Sequence, residues 1–216
     1  MTSVAVTAPD DQLWQPTLAM AAGPTWRPLS ELQRTELSAG AWIDHLPGWL
    51  TGADDLMSQL LQQVPWKSGS RRMYDHDVDV PRLTSHYRSF GNVPAALVAT
   101  AGERLTEHYA QTGWEPFRSA GLCLYRTGED SVAWHGDRFG RGASKDVLVA
   151  ILSLGSQRRL ALRPRGGGES LSFPLSHGDL LVMGGSCQRS YDHCVPKTRQ
   201  AHGPRISVQF RPSGVA

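Results

Sequence analysis

Residues 205–211 run Arg205-Ile206-Ser207-Val208-Gln209-Phe210-Arg211, an alternation with a period of two. In an extended chain Ile206, Val208 and Phe210 fall on one side and Arg205, Ser207, Gln209 and Arg211 on the other. This predicts a strand with one core face and one polar row carrying two guanidiniums. Back toward residue 114 the same texture recurs in short runs rich in Val, Ile, Leu, Phe and Tyr, at about 117–126, 131–135, 146–154, 158–163, 169–174, 179–183 and 188–193. Each is bounded by Gly, Pro, Asp or Ser, and eight such runs at close spacing predict an antiparallel sandwich or barrel.

Before Gly113 the periodicity is helical. Leu56, Met57, Leu60, Leu61 and Val64 share one helical face that Pro65 ends, and Leu97, Val98, Ala101, Leu105 and Tyr109 form a second stripe opening at Pro94. These two helices are expected to back a sheet. Between them, Trp66 to Asn92 is rich in charge and aromatics and is expected to form an irregular hairpin or lid. Residues 1–25 mix Ala, Thr, Pro and Gly without a period, a loosely held arm. A chain of 216 residues therefore divides into that arm, a helical support and lid over 26–113, and a β core over 114–216, the last two forming one folded unit.

Three cysteines at irregular spacing argue against a disulfide framework and against zinc knuckles. The N-terminal stretch lacks a basic segment, and the longest aliphatic run is Val147 to Leu152, so the expectation is a cytoplasmic protein without membrane spans. Residues 1–110 carry 8 Lys+Arg against 12 Asp+Glu, and residues 111–216 carry 14 against 8. Positive charge thus collects in the second half, where it suits an anionic partner. Arginine outnumbers lysine 19 to 3, which suits bidentate grip on phosphate or carboxylate but also follows from codon usage in a GC-rich genome.

Trp134-His135-Gly136-Asp137 ends one predicted strand, and His193 lies near the end of another. Residues i and i+2 of a strand point to the same side, so His135 and Asp137 can reach one metal, with His193 completing the set from a facing strand. Two imidazoles and one carboxylate leave positions open on the ion, the arrangement of non-haem Fe(II) oxygenases. A lone His-x-Asp is commonly a solvated pair. The polar row of 205–211 strengthens the metal reading, because two arginines directed into a barrel are costly unless a dianion such as a dicarboxylate meets them.

Four elements, LCLYRTGEDSVAWHGD, AILSLGSQRRLAL, LSHGDLLVMGGSCQRSYDHCVPK and PRISVQFRP, together with PRLT at 81–84, stand in an order and spacing that resembles the AlkB-like Fe(II)/2-oxoglutarate dioxygenases. The resemblance covers a little over half the chain. It implies a mainly β fold with flanking helices and a double-stranded β-helix (jelly-roll) core, with Fe(II), 2-oxoglutarate and O2 as cofactor and co-substrates. It also implies oxidative dealkylation of N-alkylated bases in DNA, releasing aldehyde, succinate and CO2. By the same resemblance His135, Asp137 and His193 are the iron ligands. Arg205 pairs with the distal carboxylate of 2-oxoglutarate, Arg211 sits near its chelating carboxylate, and Tyr125 donates its hydroxyl.

Cys123 and Ser207 stand where the family usually has Asn beside the co-substrate, and Arg138-Phe139 stand where better-known members carry acidic residues that touch the base. Tyr87 and Tyr74 are candidates to stack on a flipped base, with packing of the lid as the bland reading. Arg82 and Arg138 are candidates for phosphate or base contact. The expected partner is alkylated DNA, single-stranded favoured, or RNA, with no membrane and the chain as a monomer. Alternatives are the same chemistry on RNA, protein or a small molecule, and a nucleic-acid-binding jelly-roll with a dead site. Gly166-Gly167-Gly168 is expected as a hairpin tip, His177 as structural, and Cys194 as a buried inert thiol beside the site. His45, His76, His86, His108 and His202 show no partner spacing.

Overall fold

The strands of the structure, a computed structural model, are β1 (Thr25–Trp26), β2 (Gln33–Glu36), β3 (Ala41–Leu46), β4 (Leu50–Thr51), β5 (Lys67–Met73), β6 (His76–Tyr87), β7 (Ser119–Tyr125), β8 (Val132–His135), β9 (Val149–Gly155), β10 (Arg158–Pro164), β11 (Leu171–Leu175), β12 (Leu180–Gly185), β13 (Tyr191–Val195) and β14 (Arg205–Arg211). The helices are α1 (Asp54–Gln63), α2 (Ala96–Ala110) and the single turn α3 (Cys187–Ser190). The structure describes residues 23–73, 76–137, 140–199 and 203–215, with the backbone alone for 70–73 and 76–80. Of the expected N-terminal arm, residues 1–22 lie outside the described residues, while Thr25 and Trp26 pair with Thr51 and Leu50.

From β7 onward the chain switches between two facing sheets. β7, β9, β12 and β14 belong to an eight-stranded sheet ordered β2-β3-β12-β9-β14-β7-β6-β5, and β8, β10, β11 and β13 form a four-stranded sheet ordered β11-β10-β13-β8. This alternation is the double-stranded β-helix, or jelly-roll. The large sheet extends beyond it at both edges, by β2 and β3 on one side and by the β5–β6 hairpin on the other. The sheet thus joins strands from both sides of residue 113.

Both faces of the large sheet are covered, which explains why its central strands appear in the sequence as continuous apolar runs. On the outer face Leu122, Leu124, Val208 and Phe210 pack with Leu56 and Leu60 of α1 and Val98 and Leu105 of α2. Asp54 and Asp55 in the first turn of α1 complement its dipole. On the inner face Ile43, Val149, Ile151, Leu181 and Met183 meet Leu160, Leu162 and Val195 of the small sheet.

Three sequence expectations change. Trp66 to Asn92 is more than a lid: β5 and β6 form the expected hairpin, with a register irregularity between Ser68 and Ser70, and β6 also joins the large sheet by pairing Leu83–Tyr87 with Leu124–Ala120. The run at 188–193 begins later, because Ser190 N–H closes a helical turn on Ser186 O at 2.8 Å and the strand starts at Tyr191. The second helix starts at Ala96 rather than Pro94. Among the described residues no helix is long and apolar enough to cross a membrane.

Candidate active site

β8 and β13 run antiparallel with His135 directly opposite His193, and their ring centroids stand 4.3 Å apart. An extra residue on β8 makes a bulge behind this pair, a common device for aiming a side chain at a site. Asp137 lies two residues beyond the strand end, buried, with its backbone N–H donating to Gln188 Oε1 at 3.2 Å. One ligand atom from each of His135, Asp137 and His193 lies within 4.8 Å of the other two. The structure therefore brings together the three residues that the sequence singled out for metal.

The surrounding bonds prepare each donor. His135 Nδ1 is 2.9 Å from the Ala133 carbonyl, which can only accept, so Nδ1 carries the proton and Nε2 keeps its lone pair. Arg211 Nε and Nη2 donate to Asp137 Oδ2 at 3.0 and 2.8 Å, leaving Oδ1 to face His135 Nε2 at 3.7 Å. Burial works to raise the Asp137 carboxyl, but the Arg211 guanidinium and the two imidazoles outweigh it and hold its pKa below the ordinary value. Burial pushes His193 down to about 4 against the opposing pull of Asp137, so it is neutral at pH 7. A neutral His193 and an ionised Asp137 are the protonation states a divalent ion needs of those two donors.

Beside this triad the inner face of β14 carries Arg205, 1% exposed. Its Nε donates to Ser153 Oγ at 3.0 Å, and its Nη1 is buried without a partner among the described residues. Tyr125, opposite Arg205 in register, is buried with its ring centroid 5.3 Å from the Arg205 guanidinium. Burial raises its phenol pKa, so the hydroxyl stays a donor. Cys123 and Ser207 are register partners one step along, and Gln209 Nε2 reaches Cys123 Sγ at 3.8 Å and Ser207 Oγ at 3.5 Å. An unmatched, fully buried guanidinium beside a protonated phenol fits a carboxylate. The donor set and this orphaned cation together fit Fe(II) and a dicarboxylate co-substrate.

The lid candidates divide. Arg82 is half-buried on β6, with Nη1 donating to Ser131 O at 3.4 Å and Nε buried without a described partner. Tyr87 is a correction: it packs with Leu83 against the outer, helix-side core, because alternation along β6 turns it away from the face that carries the site. It is not placed to stack on a base. Tyr74 and Arg138 lie outside the described residues. Cys194 is buried opposite Ala161 of β10, one residue on from His193, with its thiol pKa raised by burial.

Sequence reasoning missed four contributors. Ser153 orients Arg205, Gln188 holds the Asp137 backbone, Gly121 gives Arg211 its passage, and His86 stands against the same glycine from β6. None carries a motif. The only available signal was the even-numbered phase of β6, which puts His86 level with Gly121.

Residues 43–211 match the family described as the 2OG-Fe(II) oxygenase superfamily. The alpha-ketoglutarate-dependent dioxygenase alkB homolog 3 of Homo sapiens is 32% identical over 182 residues, covering 74% of this chain and 61% of that protein. The DNA oxidative demethylase ALKBH2 of Arabidopsis thaliana is 27% identical over 188 residues, covering 69% of this chain and 59% of that protein. The chain spans about three fifths of the length of these curated relatives. The solved structure of OsALKBH1 aligns with a TM-score of 0.58 at 14% identity, over 82% of this chain and 100% of that one. An oxidoreductase of the 2OG-Fe(II) oxygenase family from Burkholderia pseudomallei aligns with a TM-score of 0.55 at 14% identity, over 83% of this chain and 88% of that one. At such identity the two structures speak for the fold alone. Because the matched span runs from β3 to the last residue of β14, and so takes in both sheets and all three candidate ligands, the chain belongs to the 2OG-Fe(II) oxygenase superfamily.

Proposed function

We propose that the protein is an Fe(II)/2-oxoglutarate-dependent dioxygenase that removes N-alkyl groups from bases of single-stranded DNA. The observation that carries this reading is the conjunction, in one interior, of the His135, Asp137 and His193 donors with the orphaned Arg205 guanidinium. The nucleic-acid part is supported by the relatives, two of which are named for alkB homology or for DNA oxidative demethylation. It is supported also by the basic second half of the chain.

Bound iron would supply the activation of O2 at the expense of 2-oxoglutarate. The residues of the chain do the rest. His135, Asp137 and His193 would hold the metal. Arg211 fixes Asp137 so that one oxygen remains for coordination. Arg205 and Tyr125 take the distal carboxylate of 2-oxoglutarate, at roughly 1.5–3 kcal/mol for each charge-assisted hydrogen bond. The apolar side chains of β9 and β12 line the inter-sheet space and exclude water.

The overall reaction balances as N–CH3 plus 2-oxoglutarate plus O2 giving N–H, formaldehyde, succinate and CO2. The methyl carbon gains a hydroxyl, the C–N bond of the hemiaminal then breaks with its electron pair going to nitrogen, and the hydroxyl proton passes to that nitrogen as formaldehyde leaves.

Purified protein with Fe(II), ascorbate and 2-oxoglutarate should release formaldehyde and succinate when single-stranded DNA carries N-methylated bases, and neither product from unmodified DNA. Succinate without dependence on the lesion would refute the substrate and leave the oxygenase core standing. No succinate under any condition would refute the enzyme.

A further inference from the structure

The chain's three cysteines are unpaired, and they differ in what they face. Cys187 sits in the α3 turn, where burial pushes its thiol up to about 12. Cys194 lies on the face of β13 opposite His193, and burial raises its thiol as well. Cys123 is on the inner face of β7, two residues from Tyr125, with Ser207 of β14 directly across on one side and Thr84 of β6 on the other.

Two neighbours make this thiol more than a space-filler. Arg205 stands two residues before Ser207 on the same face of β14, about 7 Å along the strand. It is 1% exposed, and its Nη1 has no partner among the described residues, so a carboxylate is the ligand it calls for. The second neighbour is Gln209. Its Oε1 accepts from Arg211 Nη2, which turns the amide nitrogen the other way, and Nε2 donates to Cys123 Sγ at 3.8 Å. That N–H supports negative charge on sulfur, and the thiolate is the form in which a cysteine attacks.

We infer that Cys123 is a site of covalent addition for unsaturated dicarboxylates of the fumarate class, held by one carboxylate at Arg205 in the place of the co-substrate. The inference rests on the assignment of the Arg205 pocket to 2-oxoglutarate and goes beyond it by making that pocket reactive. Sulfur forms a bond to one alkene carbon, the π pair moves to the neighbouring carbon, and that carbon takes up the proton lost by the thiol. No group leaves, and no external oxidant or reductant is needed. Saturated dicarboxylates such as succinate have no alkene to add to and bind reversibly. The adduct occupies the co-substrate's place, so addition and 2-oxoglutarate binding exclude one another.

The test incubates the Mn(II)-loaded full chain with fumarate, or with its neutral diamide, and follows the adduct by intact mass and peptide mapping. Free glutathione gives the intrinsic reactivity of each reagent. One fumarate should add at Cys123, and the rate relative to glutathione should be at least tenfold greater for fumarate than for the diamide. Saturating 2-oxoglutarate should slow the addition at least tenfold, and Cys123→Ser should abolish it. Arg205→Gln should erase the preference for fumarate, and the protection by 2-oxoglutarate reads the same point in the unaltered chain should that variant not fold. Equilibrium dialysis of 2-oxoglutarate separates the two readings. If 2-oxoglutarate binds but fumarate adds nowhere, adds only at Cys187 or Cys194, or adds at Cys123 without protection or preference, the inference is overturned and the co-substrate pocket stands. If neither 2-oxoglutarate nor fumarate is held, the assignment of Arg205 falls with it.

Discussion

Gly121 sits in the middle of β7, and a Cβ there would stand 2.8 Å from Arg211 Nη1 and 3.4 Å from His86 Nδ1. The missing side chain is what lets the Arg211 guanidinium pass across β7 to Asp137. Gly121→Ala should displace it, freeing the carboxylate to rotate, and affinity for Fe(II) or Mn(II) should fall at least tenfold, the usual effect of losing an outer-shell partner. Equilibrium dialysis against Mn(II), with thermal unfolding as control, checks this. Unchanged affinity in a folded variant would show that Arg211 does not orient Asp137. The contrast in legibility is physical. His135, Asp137, His193, Arg205 and Arg211 were visible in the sequence because their chemistry is uncommon for their surroundings. Gly121, Ser153 and Gln188 were not, because each acts only through a contact with a residue remote in the chain.

At the scale of elements, α2 is tied to the edge of the large sheet by a buried carboxylate. Tyr109 Oη donates to Asp44 Oδ2 at 2.8 Å, and Arg34 on β2 grips both Asp44 oxygens at 2.7 and 2.8 Å while its guanidinium lies 3.8 Å over the Trp42 ring. Tyr109→Phe keeps the packing and the Arg34 pair but removes one buried donor. It should cost about 1 kcal/mol in urea unfolding, with catalysis unaltered because the tie is on the outer face. A loss near zero would mean that Asp44 is served fully by Arg34. The periodicities of α1 and α2 announced both helices, since each buries one stripe. Strands β2 and β3 were not foreseen. β3 buries apolar side chains on both faces, with Ala41 and Ile43 inward and Trp42 and Leu46 outward, and interrupts them with Asp44 and His45, so the run shows no alternation.

Over the whole molecule, burial lowers the pKa values of His45, His86, His108, His177 and His193. Each is neutral when folded and takes up a proton more readily once unfolded. Below pH about 6.5 the unfolded chain therefore binds more protons, and acidification favours it. The urea midpoint of the metal-free protein should fall steadily from pH 7 to pH 4.5. A flat or rising midpoint would mean that these imidazoles are charged in the native state. The sequence by itself determined the class of core, the eight strand runs and the likeness that named the iron and co-substrate residues, because period and spacing record which side of each segment is buried. Only the tertiary structure decided that the lid hairpin joins the large sheet, that Tyr87 faces the helices, and that Arg205 lies buried opposite Tyr125 with its Nη1 unpartnered among the described residues. Those facts depend on which strand pairs with which across a hundred residues and in what register, and no local pattern carries that information.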